Sequence, residues 1–253
     1  MKYGGFEDYR GGGHFSGRIT AALVGASAII ISILNKKGIS IGSHIKRIAN
    51  IEDSPFEDYK NEISALNKKD FAVIDNTKKP LMQKAILKAG FEGDSIGGIL
   101  ETAVVGVPAG VGEPWFDTLE GVISHAVFSV PAVKGVEFGI GFSFADMLGC
   151  EANDCFYSEK GEIKTKTNNN GGINGGISNG MPIVFSTVIK PTPTISKEQQ
   201  TVDFKTMENT VIKSGGRHDP CIVHRARVVI DSVTALAVCD LLLQKYGTDW
   251  LAK

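Results

Sequence analysis

Glycine is the residue that most constrains this fold. The chain has 30 glycines among 253 residues, where about 7% is usual, and 14 of them stand in six clusters. Glycine adopts positive φ angles and lets a backbone approach a ligand or a second backbone closely, at a cost in folding entropy. The clusters therefore predict several turns built for close approach. They lie at residues 11–13, 97–98, 106–112, 171–172, 175–176 and 215–216.

The composition excludes several classes of protein. With 27 Lys and Arg against 28 Asp and Glu, the net charge is -1, so the chain lacks the basic excess of a nucleic-acid binder. Four cysteines are too few for a disulfide scaffold and predict free thiols in a reducing compartment. We find no secretory signal at the start of the sequence. These features predict a cytoplasmic protein with enough apolar residues for one large core or two modest ones.

The most apolar run covers residues 21–34 and is interrupted by Gly25. It is shorter than the roughly 20 residues that span a bilayer. Because residues 16–34 are apolar on nearly every side, they predict a helix buried between layers, and no membrane partner is expected.

Strand and helix patterns alternate along the rest of the chain without a repeat. They predict a single layered domain of helices and strands. Strands are expected over 36–51, 97–107, 133–144 and 182–189, helices over 79–90, 115–130 and 222–246, a loop with a short helix over 52–69, and loops over 150–170 and 195–214.

Two segments concentrate groups that could carry chemistry. Residues 10–18 read RGGGHFSGR and open onto a helix, where free amides attract anions; Ser16 serving as a simple helix N-cap is the alternative. Residues 215–221 read GGRHDPC, and Asp219 there suits an ion pair or an N-cap. His218, Cys221 and His224 give a weaker zinc alternative.

Other candidates have structural interpretations. His44 and His125 are expected to be satisfied structural histidines, and Cys150 and Cys155 to be incidental thiols. The run of glycines around Gly175 exceeds what a two-residue hairpin requires, which favours close packing on a flat ligand or a second backbone.

Seven blocks, taken in order, resemble the chorismate synthase family nearly from end to end. Each block alone is weak, but their shared order makes coincidence implausible. The blocks are residues 2–4 with 10–13, 93–98, 112–117, 132–137, 171–180, 190–192 and 216–221.

The resemblance implies an α+β fold, a β-α-β sandwich with buried helices between antiparallel sheets, as one domain over residues 1–253. It implies a lyase of the shikimate pathway for aromatic amino-acid biosynthesis. The reaction is the 1,4-anti elimination of phosphate from 5-enolpyruvylshikimate 3-phosphate, and it requires reduced FMN. NADPH or an external reductant would reduce the flavin. A homotetramer, and no metal, are also implied.

The resemblance also assigns residues to roles. Asp219 and Ser16 are the expected catalytic residues, and Arg10 and Arg18 the expected substrate-binding residues. The family sequence at residues 14–16 is usually Arg-Ser-Ser, so His14 replaces a permanently charged residue. The expected FMN contacts are His14, Phe15, Ser16, Pro131, Ala132, Gly175, Lys190, Pro191, Thr192, Pro193, Thr194 and Arg217.

One departure from the family affects the expected activity. Family members carry a segment before the block at residues 2–4, and it contains two histidines credited with acid catalysis and flavin protonation. We therefore expect an N-terminally truncated member. The alternative to an active enzyme is an inactive fragment that binds flavin or assembles with a separate N-terminal piece.

Overall fold

The structure is a computed structural model, and it describes residues 2–7, 12–216 and 218–251. The helices are α1 (Thr20–Lys36), α2 (Tyr59–Leu66), α3 (Lys78–Phe91), α4 (Leu119–Phe128), α5 (Gly149–Ala152) and α6 (Val223–Tyr246). The strands are β1 (Ser40–Ile48), β2 (Ile51–Glu52), β3 (Gly98–Val105), β4 (Val133–Phe138), β5 (Phe156–Glu159), β6 (Glu162–Thr165), β7 (Ile173–Asn174), β8 (Ile177–Ser178), β9 (Ile183–Ile189), β10 (Gln199–Val202) and β11 (Asn209–Ile212).

A five-stranded antiparallel sheet forms the framework, in the order β2-β1-β3-β9-β4. Its central strands, β3 and β9, pair from Gly98 with Ile189 to Val104 with Ile183. Both are buried over most of their length. Helix α6 covers one face of the sheet, and α2 covers part of the other face. The strands expected over 97–107 and 182–189 are therefore confirmed.

Helix α6 is the centre of the core. It packs against β1 and β3, and α1 and α4 flank it. Its buried positions include Val223, Ile230, Val238 and Leu242, and Gly247, with a φ of 79°, ends it. The helix expected over 222–246 is confirmed because a long apolar pattern ending at glycine is a strong signal.

The prediction of a fully buried first helix is wrong. Of the 17 residues of α1, only Ser27 and Leu34 are buried, and the face turned away from α6 is open to solvent. The helical span Gly17–Lys36, with a mean hydropathy of 1.9, is long and apolar enough to cross a membrane by length and composition. The apolar run at residues 21–34 understates this length, because the helical segment extends beyond it at both ends.

Several element boundaries also differ from expectation. The segment expected as one helix over 115–130 is a 3-10 turn, Trp115–Asp117, followed by α4, with Thr118 capping α4 through the amide of Gly121. Strand β4 stops at Phe138 and gives way to a 3-10 helix, Gly141–Asp146. The expected loops at 150–170 and 195–214 contain the hairpins β5–β6 and β10–β11.

The α+β fold class is confirmed, since helices pack on antiparallel sheet. In the described residues, the helical layer has a large sheet on one side only. The other three sheets are two-stranded hairpins.

The pairing of β1, β3 and β9 defines two ends of the sheet and of the helices packed on it. We call the end where β9 finishes the Lys190 end, and the end where β9 begins the Gly175 end. Strand β9 runs from the Gly175 end to Ile189, about 20 Å at 3.3 Å per residue. Helix α4 covers about 15 Å between Leu119, whose amide bonds Gly176, and the turn that leads to Ala132. Functional residues can therefore be assigned to one end or the other.

A buried carboxyl joins α6 to the sheet. Asp231 lies 2.5 Å from the hydroxyl of Ser43 on β1, which is 2.7 Å from Thr102 on β3. Arg227, one turn earlier, approaches Asp231 to 3.4 Å. Burial raises the pKa of Asp231 to about 6, although Arg227 and the Ser43 bond oppose this.

This raised pKa predicts a pH-dependent stability. The folded state binds the Asp231 proton more tightly than the unfolded state does. The contribution of Asp231 to the free energy of unfolding therefore falls as pH rises from about 4 to 6, by at most about 3 kcal/mol. Asp231→Asn keeps a hydrogen-bonding side chain without the charge. Urea unfolding should show this variant gaining stability relative to wild type between pH 4 and pH 7, whereas Asp240→Asn, exposed on the same helix, shows no such trend. Parallel pH profiles for wild type and Asp231→Asn would contradict the prediction.

Candidate active site

Four distant segments meet at the Lys190 end through direct hydrogen bonds. The amide of Lys190 donates to the carbonyl of Ala132 at 2.9 Å. The Thr192 hydroxyl donates to the carbonyl of Asp219 at 2.9 Å, and the Ser95 hydroxyl donates to the carbonyl of Thr192 at 2.7 Å. Ala132, Lys190, Thr192 and Asp219, all expected around one ligand, therefore belong to one cluster.

Close backbone contact holds this cluster together. A Cβ at Gly97 would lie 2.5 Å from the carbonyl oxygen of Ile189 and 2.9 Å from Pro191. Beside it, the Ile96 amide donates to the carbonyl of Pro220 at 2.7 Å. Only glycine permits this approach, which explains the glycine pair at residues 97–98.

Asp219 is held by an ion pair whose partner, Arg225, the sequence analysis did not identify. Its carboxylate lies 2.7 Å from Nη1 of Arg225, the third residue of α6. The two side chains are 41% and 61% exposed, so the pair adds less than about 1 kcal/mol of stability. Its effect is to orient the carboxylate.

The histidines and the thiol beside Asp219 have distinct environments. Nε2 of His218 is buried without a hydrogen-bond partner in the described chain. His224 stacks on Phe71, and burial together with Arg225 lowers its pKa, so it is neutral at pH 7. Burial raises the pKa of the Cys221 thiol to about 11. The described residues contain no group of three side chains placed for a metal ion, so no cluster supports the zinc alternative.

The turn that precedes α1 is largely exposed, and α1 ends at Lys36, shortly before β1 begins at Ser40. His14, Phe15 and Arg18 are exposed, and the Ser16 hydroxyl accepts a hydrogen bond from the amide of Arg18. Ser16 therefore acts as the N-cap considered above. Among the described residues, no hydrogen bond links this turn to Asp219.

The remaining expected contacts divide between the two ends. Pro131 precedes Ala132, and the Pro193 carbonyl accepts a bond from Gln199, while Thr194 is exposed. Gly175 lies at the opposite end, next to Gly176, whose carbonyl accepts from Leu119. About 15 Å of α4 therefore separates Gly175 from the cluster. Arg10 and Arg217 fall outside the described residues.

A cleft on the sheet face opposite α6 lies away from this cluster. It has a volume of about 480 Å³ and is lined by Lys46, Glu101 and Glu137 among others. Lys46 and Glu101 form an ion pair at 2.8 Å, and none of the expected site residues lines the cleft. The hydrogen-bonded cluster is therefore the stronger candidate for the functional site.

His44 borders the same face and is confirmed as a structural histidine. Its ring nitrogens lie 2.8 Å from Asp53 and 3.1 Å from Glu101. Burial alone lowers its pKa, but the two carboxylates outweigh burial and raise it. The same expectation for His125 is wrong, because His125 is exposed on α4, whose buried side comprises Leu119, Ile123 and Val127.

Comparison with known proteins agrees with the resemblance. A sequence model described as chorismate synthase matches residues 1–243. The chorismate synthase of Korarchaeum cryptofilum is 43% identical over 251 residues, covering 96% of this chain and 67% of the relative. That of Pyrococcus abyssi is 45% identical over 243 residues, covering 96% and 67%. A crystal structure of chorismate synthase matches with a TM-score of 0.77 and 30% identity, over 92% of this chain and 66% of the other.

The close contact at Gly97 can be tested directly. Gly97→Ala places a methyl group against Ile189 and Pro191, and overpacking of this kind costs about 1–3 kcal/mol. Denaturant unfolding should show that loss. Gly149→Ala is the matched control, because no atom lies within 4 Å of the position that its methyl group would take. Equal stability of the two variants would contradict the packing described here.

Proposed function

The chain belongs to the chorismate synthase family, and we propose that it takes part in the family's reaction. That reaction is the 1,4-anti elimination of phosphate from 5-enolpyruvylshikimate 3-phosphate to give chorismate. The chain spans about two thirds of the length of its relatives. The activity of the whole protein is therefore a proposal for this chain.

The hydrogen-bonded cluster at the Lys190 end carries the proposal. It combines a cation, a carboxylate and a threonine held by backbone bonds, which suits a ligand with both anionic and hydrogen-bonding groups. Lys190 is half-buried, and its ammonium would attract phosphate or carboxylate. The ion pair with Arg225 fixes where the Asp219 carboxylate points.

The residues present fit a flavin. The orphaned, buried Nε2 of His218 requires a hydrogen-bond partner, because an unsatisfied buried polar group costs about 1–3 kcal/mol. A flavin ring offers such partners, and its phosphate suits Lys190. When bound, reduced FMN supplies electron density to the substrate and a site for its proton. NADPH or an external reductant would keep it reduced.

Within this site the chain's own residues bind, orient and move a proton. Asp219 assists proton transfer as a positioned carboxylate, and Thr192 keeps its backbone in place. Ala132, Pro191, Pro193 and Thr194 border the flavin.

The other assignments stay predictions. His14, Phe15 and Ser16 keep their expected roles as flavin contacts, and Arg18 its expected role as a substrate contact, by resemblance. Gly175 is an expected flavin contact that this cluster does not include. Pro131, Arg10 and Arg217 keep their expected roles by resemblance. A homotetramer and a cytoplasmic location are proposed on the same ground.

A second candidate function is supported by the exposed face of α1. A chain that covers two thirds of its relatives and leaves an apolar helix uncovered fits a part of the enzyme that acts together with a further polypeptide segment. On this alternative, the isolated chain is inactive and binds flavin or assembles with that segment.

The proposed activity predicts a defined assay result. Purified chain, alone and co-purified with the third of the Pyrococcus abyssi relative that it does not match, receives substrate and reduced FMN without oxygen. We expect chorismate from the complemented protein only, and a rate at least tenfold lower for Asp219→Asn. Glu198→Gln, an exposed acid beyond the cluster, is the control and should leave the rate unchanged. No chorismate from either preparation would overturn the proposal, and activity of the chain alone would overturn the second candidate.

A further inference from the structure

The face of the five-stranded sheet opposite α6 carries a row of polar side chains. In the strand pairing, Glu101 on β3 lies opposite Ser186 on β9, and Ser186 lies opposite Glu137 on β4. Paired residues of an antiparallel sheet project from the same face, and adjacent strands lie about 4.8 Å apart. The row therefore crosses three strands, and Glu101 and Glu137 both line the cleft of about 480 Å³ on this face.

Lys46 supplies a positive charge that is fixed in position. Its ammonium donates to Glu101 at 2.8 Å and to the hydroxyl of Ser186 at 3.0 Å. Glu101 is itself anchored, because its side chain is only 10% exposed and Nε2 of His44 lies 3.1 Å from its other carboxylate oxygen. An ammonium has three donors, and the Lys46 side chain is 37% exposed. One donor is therefore available to a ligand in the cleft.

Glu137 supplies a negative charge close to Lys46. Among the described residues, its carboxylate has one hydrogen-bond partner, the amide of Phe142 at 3.3 Å. A Cβ on Gly141, whose φ is 54°, would lie 2.6 Å from the Glu137 side chain, so glycine lets the following turn fold back over this carboxylate. Since Ser186 and Glu137 are paired neighbours, the ammonium that Ser186 holds lies about one strand spacing from Glu137.

Apolar side chains line the same cleft beside these two charges. Ile99 and Ile140 are half-buried there. Arg47 and Glu52, which also line it, are 45% and 68% exposed and lie 3.5 Å apart, so they form only a weak pair. A cation, an anion and an apolar surface within this volume suit a small zwitterion with an apolar side chain.

Other classes of ligand fit the cleft less well. Its lining residues include three carboxylates and two cations, which disfavours a polyanion such as a nucleotide. The described part of the chain contains no group of three side chains placed for a metal ion. Lys46 would repel a lone cation, and Glu137 would repel a lone anion. A ligand that carries both charges meets neither objection.

We propose that this cleft binds an α-amino acid with an apolar side chain. The carboxylate of the ligand lies on Lys46 and its ammonium on Glu137, each through a charge-assisted hydrogen bond. The side chain of the ligand packs on Ile99 and Ile140. An amino acid carries its two charges on one carbon, which matches the short separation of the two charged residues. Binding is independent of flavin and of the family's substrate, so it goes beyond the proposed function.

Titration of the isotope-labelled chain, followed by NMR, tests the proposal. L-phenylalanine should shift the amide signals of residues 46–47, 99–101 and 137–143 saturably, with a Kd of about 1 mM or lower. Hydrocinnamate and phenethylamine each lack one of the two charges and should bind about tenfold more weakly. Glu137→Gln and Lys46→Gln should weaken the binding of L-phenylalanine by a similar factor. Glu208→Gln, an exposed acid outside the cleft, is the matched control and should bind like wild type.

The other results overturn the inference. Absence of saturable shifts, or shifts confined to residues outside the cleft, excludes an amino-acid site there. Equal binding of hydrocinnamate assigns the cleft to an anion, and equal binding of phenethylamine assigns it to a cation. Wild-type affinity in both glutamine variants shows that the two charges do not contact the ligand. Thermal unfolding establishes that each variant is folded, and Glu137→Gln decides the result if Lys46→Gln is not.

Discussion

The site depends on backbones that approach each other more closely than side chains allow. At Gly97 the chain passes against Ile189 and Pro191 with no room for a methyl group. This contact brings Ser95 within reach of Thr192, and Thr192 within reach of Asp219. The bond between Ala132 and Lys190 adds the end of α4. Glycine therefore acts here as a packing residue that gathers distant segments.

Patterns that report local chemistry predicted the structure well. Alternating or continuous apolar runs bounded by glycine predicted β3, β9 and α6, because strand and helix formation in these segments agrees with their burial. His44 was correctly interpreted, since a histidine on a buried strand needs partners. The gathering of Ala132, Lys190 and Asp219 followed from the ordered family blocks, which encode long-range contacts that periodicity does not.

Features that depend on tertiary partners were less predictable. The apolar sequence of α1 indicates that its surface favours contact with other apolar groups. It does not indicate which groups cover that surface, because a covered and an uncovered apolar helix have the same sequence pattern. Polar segments such as β10 and β11 form hairpins without an apolar face, and thus lack the usual signal. Arg225 was missed because an arginine in a first helical turn has no signature until Asp219 is placed beside it.

The expected flavin contacts lie at more than one end of the fold. Residues proposed to bind flavin lie at the Lys190 end, whereas Gly175 lies beside Gly176, which bonds the first turn of α4.

Hydrogen–deuterium exchange with and without oxidised FMN tests the central claim that these segments form one ligand site. A single site predicts slower amide exchange at residues 95–97, 132, 190, 192, 194 and 219 together in the complemented protein. Protection confined to the Gly175 hairpin, or to only one of the gathered segments, would contradict it.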